Sequence, residues 1–253
     1  MLKEELIIPE DNLNSRDPVA LYMAKWFDEP FQADMLTRFT SITHRLTTQK
    51  QDRDHHADIY YTDQSTNTQK FIDAKSVTRN FEYVEQTIGR TSYTDAVAIG
   101  QYALSSKVNY FSFVWRSGLY VVRHSSLHTV TPVRVKVSYG QNYHRQVLSH
   151  YSVQSLITIP ETKHYVIPEP YMKVYDDAYA CYERSRNMMF DMGRLDQTEY
   201  RTLINHRTLV NFARELRPII VRYNNIDSVS QHIEMTPCDD FRQNLTNILS
   251  GIL

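Results

Sequence analysis

The stretch Asp54 to Val77, DHHADIYYTDQSTNTQKFIDAKSV, decides how the chain is read. Two short β-type runs, Asp58-Ile-Tyr-Tyr and Lys70-Phe-Ile-Asp-Ala-Lys, flank a polar turn, Asp63-Gln-Ser-Thr-Asn-Thr-Gln. Strand side chains repeat every two residues, so Asp73 and Lys75 share one face of the second run. Asp58 starts the first. Two carboxylates and a lysine converging from adjacent strands are what a divalent-metal hydrolytic site needs.

Upstream, residues 1–16 read as an irregular arm. Asp17-Pro18 then opens a helix, with Asp as N-cap and Pro at the first helical position. Pro30 ends or kinks that helix, and residues 31–39 resume it. The β-branched run Ser41-Ile-Thr-His-Arg-Leu-Thr-Thr predicts a first strand, and the polar residues 49–53 turn the chain into the next.

Downstream, a loop is expected over 76–90 and a buried helix over about 93–105, entered through Ser92-Tyr-Thr-Asp95 and carrying Ala96-Val-Ala-Ile. The runs starting at Val108 and Leu119, separated by Arg116-Ser-Gly118, predict a hairpin. The pattern stays β-like from 128 to 159, and in Val133-Arg-Val-Lys-Val apolar and basic residues alternate. Beyond Pro168 and Pro170 two helices are predicted, one over 174–192 and one opened by the capping box Asp196-Gln-Thr-Glu199, with an apolar stripe up to Pro218. The expected organisation is therefore an arm at 1–16, a core at 17–167 and a helical region at 168–253.

This order of elements, with Asp58 and Asp73-Ala-Lys75 in their places, resembles the PD-(D/E)xK nuclease superfamily over roughly residues 17–125. Ala57 stands where a Pro is usual, and the third position is Asp, the less common of its two permitted acids. The resemblance implies an α/β fold with a restriction-endonuclease-like core, a mixed β-sheet flanked by helices in α-β-β-β-α-β order, here with a helical C-terminal extension. It also implies an endonuclease that hydrolyses phosphodiester bonds in DNA with Mg²⁺, for which Mn²⁺ can substitute. Asp58, Asp73 and the Ala74 carbonyl would hold the metal, and Lys75 would orient or help deprotonate the attacking water. In many relatives an acid from the first helix completes the site; Glu29 is the candidate, with Asp28 and Asp34 as rivals. Cutting both strands calls for two sites, which favours a homodimer.

Lys and Arg number 28 against 29 Asp and Glu, a formal net charge of -1, so whole-chain charge identifies no partner. The distribution is more informative. From Ala96 to Pro160 there is no Asp or Glu, yet Arg116, Arg123, Arg134, Lys136 and Arg145 lie there. Such a stretch is either a half-buried β region short of charge or a surface for polyanions, and in a nuclease it would contact DNA phosphates. Arg201, Arg207, Arg214 and Arg217 read as a solvated helix face rather than a recognition helix. The eighteen tyrosines could stack on bases but are spread as strand and helix filling is. Adjacent His55 and His56 point to opposite faces of a strand, which favours a structural role over ligation.

Two cysteines without zinc spacing exclude a disulfide framework, and no apolar run reaches the length of a membrane span. A cytoplasmic location without membrane attachment is the expectation. No P-loop, GxSxG, HExxH or GxGxxG occurs, which argues against NTPase, serine hydrolase, zincin and dinucleotide-binding readings. The alternative to an enzyme is a catalytically silent nuclease-like domain that binds DNA or assembles a complex.

Overall fold

The computed structural model describes residues 2–4, 17–85, 90–100, 103–104, 107–139, 144–192 and 198–229. Asp17 caps helix α1 (Pro18–Met23), its carboxylate accepting from the Ala20 N–H at 3.0 Å. The helix does not stop at Pro30. It passes through one π turn, Ala24–Asp28, into α2 (Glu29–Thr40), which Ser41 ends with φ 57°. Pro30 has no N–H for the preceding turn and its ring crowds that turn's carbonyl, a conflict the wider π turn accommodates.

Strand β1 is only Arg45–Leu46, much shorter than the run of β-branched residues predicts. Residues 49–53 are not a turn but the start of α3 (Gln49–His55), opened by a capping box between Thr48 and Gln51. Strands β2 (Ile59–Asp63) and β3 (Thr68–Lys75) then form the expected antiparallel hairpin, Ile59 opposite Ile72 and Asp63 opposite Thr68.

The next segment departs from expectation. The predicted loop over 76–90 contains β4 (Val77–Glu85), and the predicted helix over 93–105 is largely β5 (Arg90–Gly100). Among the described residues of 93–105, helical backbone is confined to Ala103–Leu104. The run Ala96-Val-Ala-Ile is short and apolar, a pattern that a strand buried on both faces shares with a buried helix. Pairing decides for the strand: β5 lies between β4 and a later strand, β9 (His144–Ser152). Asp95, expected to cap a helix, instead accepts from the Trp115 indole N–H at 2.8 Å. The α-β-β-β-α-β order is therefore corrected at its second helix, which a β-hairpin replaces.

Strands β6 (Tyr110–Trp115) and β7 (Gly118–Arg123) form the predicted hairpin, and a 3₁₀ turn (His124–Thr129) leads to β8 (Val133–Tyr139). After β9 come α4 (Val153–Ile157), β10 (Lys163–Val166), α5 (Glu169–Met192) and α6 (Thr198–Val229). Helix α6 runs through Pro218, where the sequence stripe ends. Two sheets result. One is mixed, in the order β1-β2-β3-β6-β7-β10, with β3 parallel to β6 and its other neighbours antiparallel. The other is antiparallel, β4-β5-β9-β8.

The alternation of β3 and β6 assigns their two faces. Ile59, Ile72 and Val114 belong to a core completed by α1, α2, α5 and α6 through Tyr22, Phe31, Tyr175 and Phe212. Phe71, Phe111 and Phe113 belong to a second core shared with β5, β9 and α4. Each fully buried side chain of this size contributes about 1.5–3 kcal/mol, so the mixed sheet is clamped from both sides. The molecule is α/β, with a mixed sheet flanked by helices and a long C-terminal helix. Among the described residues, no helix is long and apolar enough to cross a membrane.

Candidate functional site

The site forms where β2 begins and β3 ends. Asp58, just before β2, is fastened to β3 twice: its N–H bonds to the Ile72 carbonyl at 3.1 Å, and its Oδ2 accepts from the Ala74 N–H at 3.1 Å. A strand residue directs its N–H and C=O along the same edge. The Ala74 carbonyl therefore points to the side that holds Asp58. Asp73 is 2% exposed and shares its face with Phe71, and Lys75 Nζ pairs with Asp73 Oδ1. No donor among the described residues reaches Asp73 Oδ2.

Helices α1 and α2 bring the remaining charges. Glu29, buried at the start of α2, is 3.1 Å from Lys25 Nζ, and the same ammonium is 3.2 Å from Asp58 Oδ1 and 3.8 Å from Asp52 Oδ2. Two buried carboxylates, Glu29 and Asp73, and the half-buried Asp58 are thus joined by two ammoniums, Lys25 on the helix side and Lys75 on the strand side. The acids respond unequally. Burial pushes the Asp73 carboxyl up to about 8, Lys75 opposing and Asp58 reinforcing the rise. Burial likewise takes Glu29 up to about 8, with Asp58 adding to it and Lys25 opposing. At Asp58 burial is outweighed by Lys75 and then Lys25, which hold its carboxyl below the usual carboxylate range. Burial works against the Lys75 charge too, but Asp73 and Asp58 outweigh it and keep the ammonium protonated.

A second layer holds Lys75 from behind. Gln32 donates to the Lys75 carbonyl at 3.4 Å and accepts from the Ser112 hydroxyl of β6 at 2.7 Å. Asp28 accepts from Gln32 at 2.9 Å, from the Tyr175 hydroxyl at 3.2 Å and from the Ser76 hydroxyl. Tyr179 donates to the Val77 carbonyl at 2.7 Å. The backbone on either side of Ser76 is therefore pinned by side chains of α2 and α5.

These contacts sort the acids of the first helix. Glu29 shares Lys25 with Asp58, Asp28 is consumed by the network beneath, and Asp34 accepts from Arg38 at 2.8 Å and Tyr223 at 2.6 Å. His55 stacks on Phe71 with ring centroids 3.9 Å apart, and His56 ends α3 with φ 51°. The residues that sequence reasoning missed are Lys25 and Asp52. The i,i+4 spacing of Lys25 and Glu29 was a visible signal; the 33-residue separation of Lys25 and Asp58 was not.

The basic candidates are not gathered on one face. Parallel pairing of β3 with β6 puts the β6–β7 turn, with exposed Arg116 stacked on Trp115 at 4.3 Å, at the Lys75 end of the sheet. Arg123 lies at the opposite end, opposite Tyr110, and pairs with Glu161 at 3.3 Å. Arg134 is exposed on β8, at the edge of the second sheet. The side chains of Lys136 and Arg145 lie outside the described residues, as do Arg201 and the capping box at Asp196.

No family model, curated protein or solved structure matches the chain. The chemistry therefore rests on the donor set. Its oxygens are hard ligands of the kind Mg²⁺ takes, and a buried carboxylate oxygen without a donor is suited to a cation. Among the described residues, however, no three His, Cys, Asp or Glu side chains stand in a ready-made metal-holding group. Lysine ammoniums stand among the acids instead.

Proposed function

We propose that the protein is a Mg²⁺-dependent endodeoxyribonuclease built on a restriction-endonuclease-like core, with Asp58, Asp73, Lys75 and Glu29 as its site. The observation that carries this reading is the convergence of Asp58, Asp73 and Lys75 at one strand end, with Asp73 buried, its carboxyl raised to about 8 and one oxygen left without a donor. Burial makes the charged form of Asp73 costly, and an ionisable group kept so far from its ordinary range beside a specific charge partner is the kind that clusters at functional sites. The departure from the expected order, a β-hairpin in place of the second helix, leaves β2, β3 and β6, the parallel neighbour of β3, in place.

The residues fit Mg²⁺: Asp58 and Asp73 would hold it, aided by the Ala74 carbonyl and by Glu29. Bound there, the ion would lower the pKa of a water and stabilise charge on the phosphate. Lys75, held by Asp73 and by the Gln32 contact to its own carbonyl, would orient the attacking water and pair with the phosphate oxygen. Arg116, at the same end of the sheet, would position the DNA backbone. A homodimer would cut both strands.

Incubation of supercoiled plasmid with the protein and Mg²⁺ or Mn²⁺ should give nicked or linear DNA, and chelation of the metal should stop it. Cleavage that persists in both Asp73→Ala and Lys75→Ala refutes the assignment. The occupation of the cluster by two ammoniums favours a second reading, a silent nuclease-like module for DNA binding or complex assembly. It expects salt-sensitive DNA binding with no metal-dependent product.

A further inference from the structure

The π turn at Ala24–Asp28 has a geometric consequence. A single wide turn inserts one residue, about 100° of rotation, between the helix before it and the helix after it. On that turn Lys25 reaches Glu29, Asp58 and Asp52, acids from three different elements. We propose that Lys25 is a resident cation that occupies the gap between Glu29 and Asp58 until a divalent metal ion displaces it. This rests on the metal-site reading above and adds a regulated occupancy to it.

Three observations support displacement rather than a fixed ion pair. First, the ammonium is 3.1 Å from Glu29 and 3.2 Å from Asp58, so it stands between two of the acids that would hold a metal. Second, the Lys25 side chain is 43% exposed, whereas those of Glu29 and Asp58 are 9% and 13% exposed. The cation can leave through solvent; the acids cannot follow. Third, the two ammoniums differ in setting: Lys75, 25% exposed, lies on the strand against buried Asp73, while Lys25, 43% exposed, reaches in from the π turn at the solvent side of the cluster.

The exchange is a charge substitution in which no covalent bond changes. Glu29 and Asp58 would help hold a divalent ion in its place, and the Lys25 ammonium would move out to solvent. There it is available to a phosphate of the substrate, so the same side chain would guard the acids before metal arrives and hold polyanion afterwards. The buried acids are never left together without a cation.

The test is a Mn²⁺ titration without DNA, free Mn²⁺ being read by electron paramagnetic resonance, on the full chain and on Lys25→Met and Lys25→Arg. Removing a competing charge a few ångströms away should tighten Mn²⁺ binding by about tenfold or more, and Lys25→Arg should bind like the parent. If Lys25→Met fails to fold, the side-chain ammonium resonances of the parent protein decide: Mg²⁺ should move the signal that Lys25→Arg lacks. Unchanged or weaker Mn²⁺ binding by Lys25→Met, or an unmoved ammonium signal, overturns displacement while leaving a metal-dependent nuclease standing. Tighter binding by Lys25→Met without any DNA cleavage supports displacement and refutes the nuclease. No Mn²⁺ binding by any of the three overturns both.

Discussion

Two charge clusters in this molecule are made from the same kinds of group and behave in opposite ways. At the strand end, Glu29, Asp58 and Asp73 meet Lys25 and Lys75. Where α2, α5 and α6 meet, Arg38 holds Asp34 at 2.8 Å and Asp227 through two bonds of 2.7 and 3.0 Å. Tyr223 donates to Asp34 and Tyr171 to Asp227. In the helix cluster the Arg38 hydrogen bonds, with Tyr171 helping, outweigh a small burial penalty and hold the Asp227 carboxyl below its usual range. In the strand cluster burial prevails at Asp73 and Glu29, which rise to about 8, while Lys75 and Lys25 keep Asp58 below its usual range. A carboxylate saturated with donors goes down; one buried short of donors goes up. The first arrangement ties helices together. The second is the kind that clusters at functional sites.

The largest expected effect separates the clusters by activity. Asp73→Ala and Lys75→Ala should each reduce DNA cleavage by about a thousandfold or more, since a metal site supplies several kcal/mol of charge stabilisation. Arg38→Met should leave the cleavage rate per folded molecule within about twofold of the parent, because Arg38 touches no group of the strand cluster. A plasmid-nicking time course on all three variants reads both. Equal losses would show that the strand cluster is no more tied to cleavage than the helix cluster.

How far the sequence showed this contrast depends on distance along the chain. The hairpin of β2 and β3 was legible because its side chains alternate and its turn is polar, and with it came Asp58, Asp73 and Lys75. Strands β4 and β5 were not. Ala96-Val-Ala-Ile carries no period that separates helix from strand, and its partners on β9 lie about fifty residues away. Helix α3 carries a capping box in Thr48 and Gln51, but its polar residues bury nothing and so leave no apolar period. Lys25 and Asp52 meet only after α2 packs on the sheet, so no local pattern announces them. The same holds for Arg38 and Asp227.

Stability sharpens the comparison next. Asp28→Ala removes one acceptor from Gln32, Tyr175 and Ser76 at once, and stranded buried donors cost about 1–3 kcal/mol. Thermal unfolding should show a loss of about 3 kcal/mol, the largest of any single change in these networks. Added Mn²⁺ should stabilise the parent by about 2.7 kcal/mol at a hundred times its Kd, and Asp73→Asn should lose most of that gain. An equal gain in both would place the ion elsewhere. Arg38→Met should cost about 2 kcal/mol, since it breaks charge-assisted bonds to two acids and a phenol. Mn²⁺ should shift its melting temperature as much as the parent's.

Asp227→Asn is the smallest change and tests the sign of the contrast. The folded state holds this carboxyl below its unfolded value, so the native protein binds fewer protons than the unfolded chain as the pH falls. The stability it contributes is fully present above the unfolded pKa and is lost as pH drops through the folded one. Its side chain is 57% exposed, and solvent screening limits the contribution to below about 1 kcal/mol. Denaturant unfolding of parent and variant should therefore differ slightly near neutral pH and converge in acid. A gap that instead widens in acid would mean that Asp227, like Asp73, is held against its charge, and the two clusters would not be opposites.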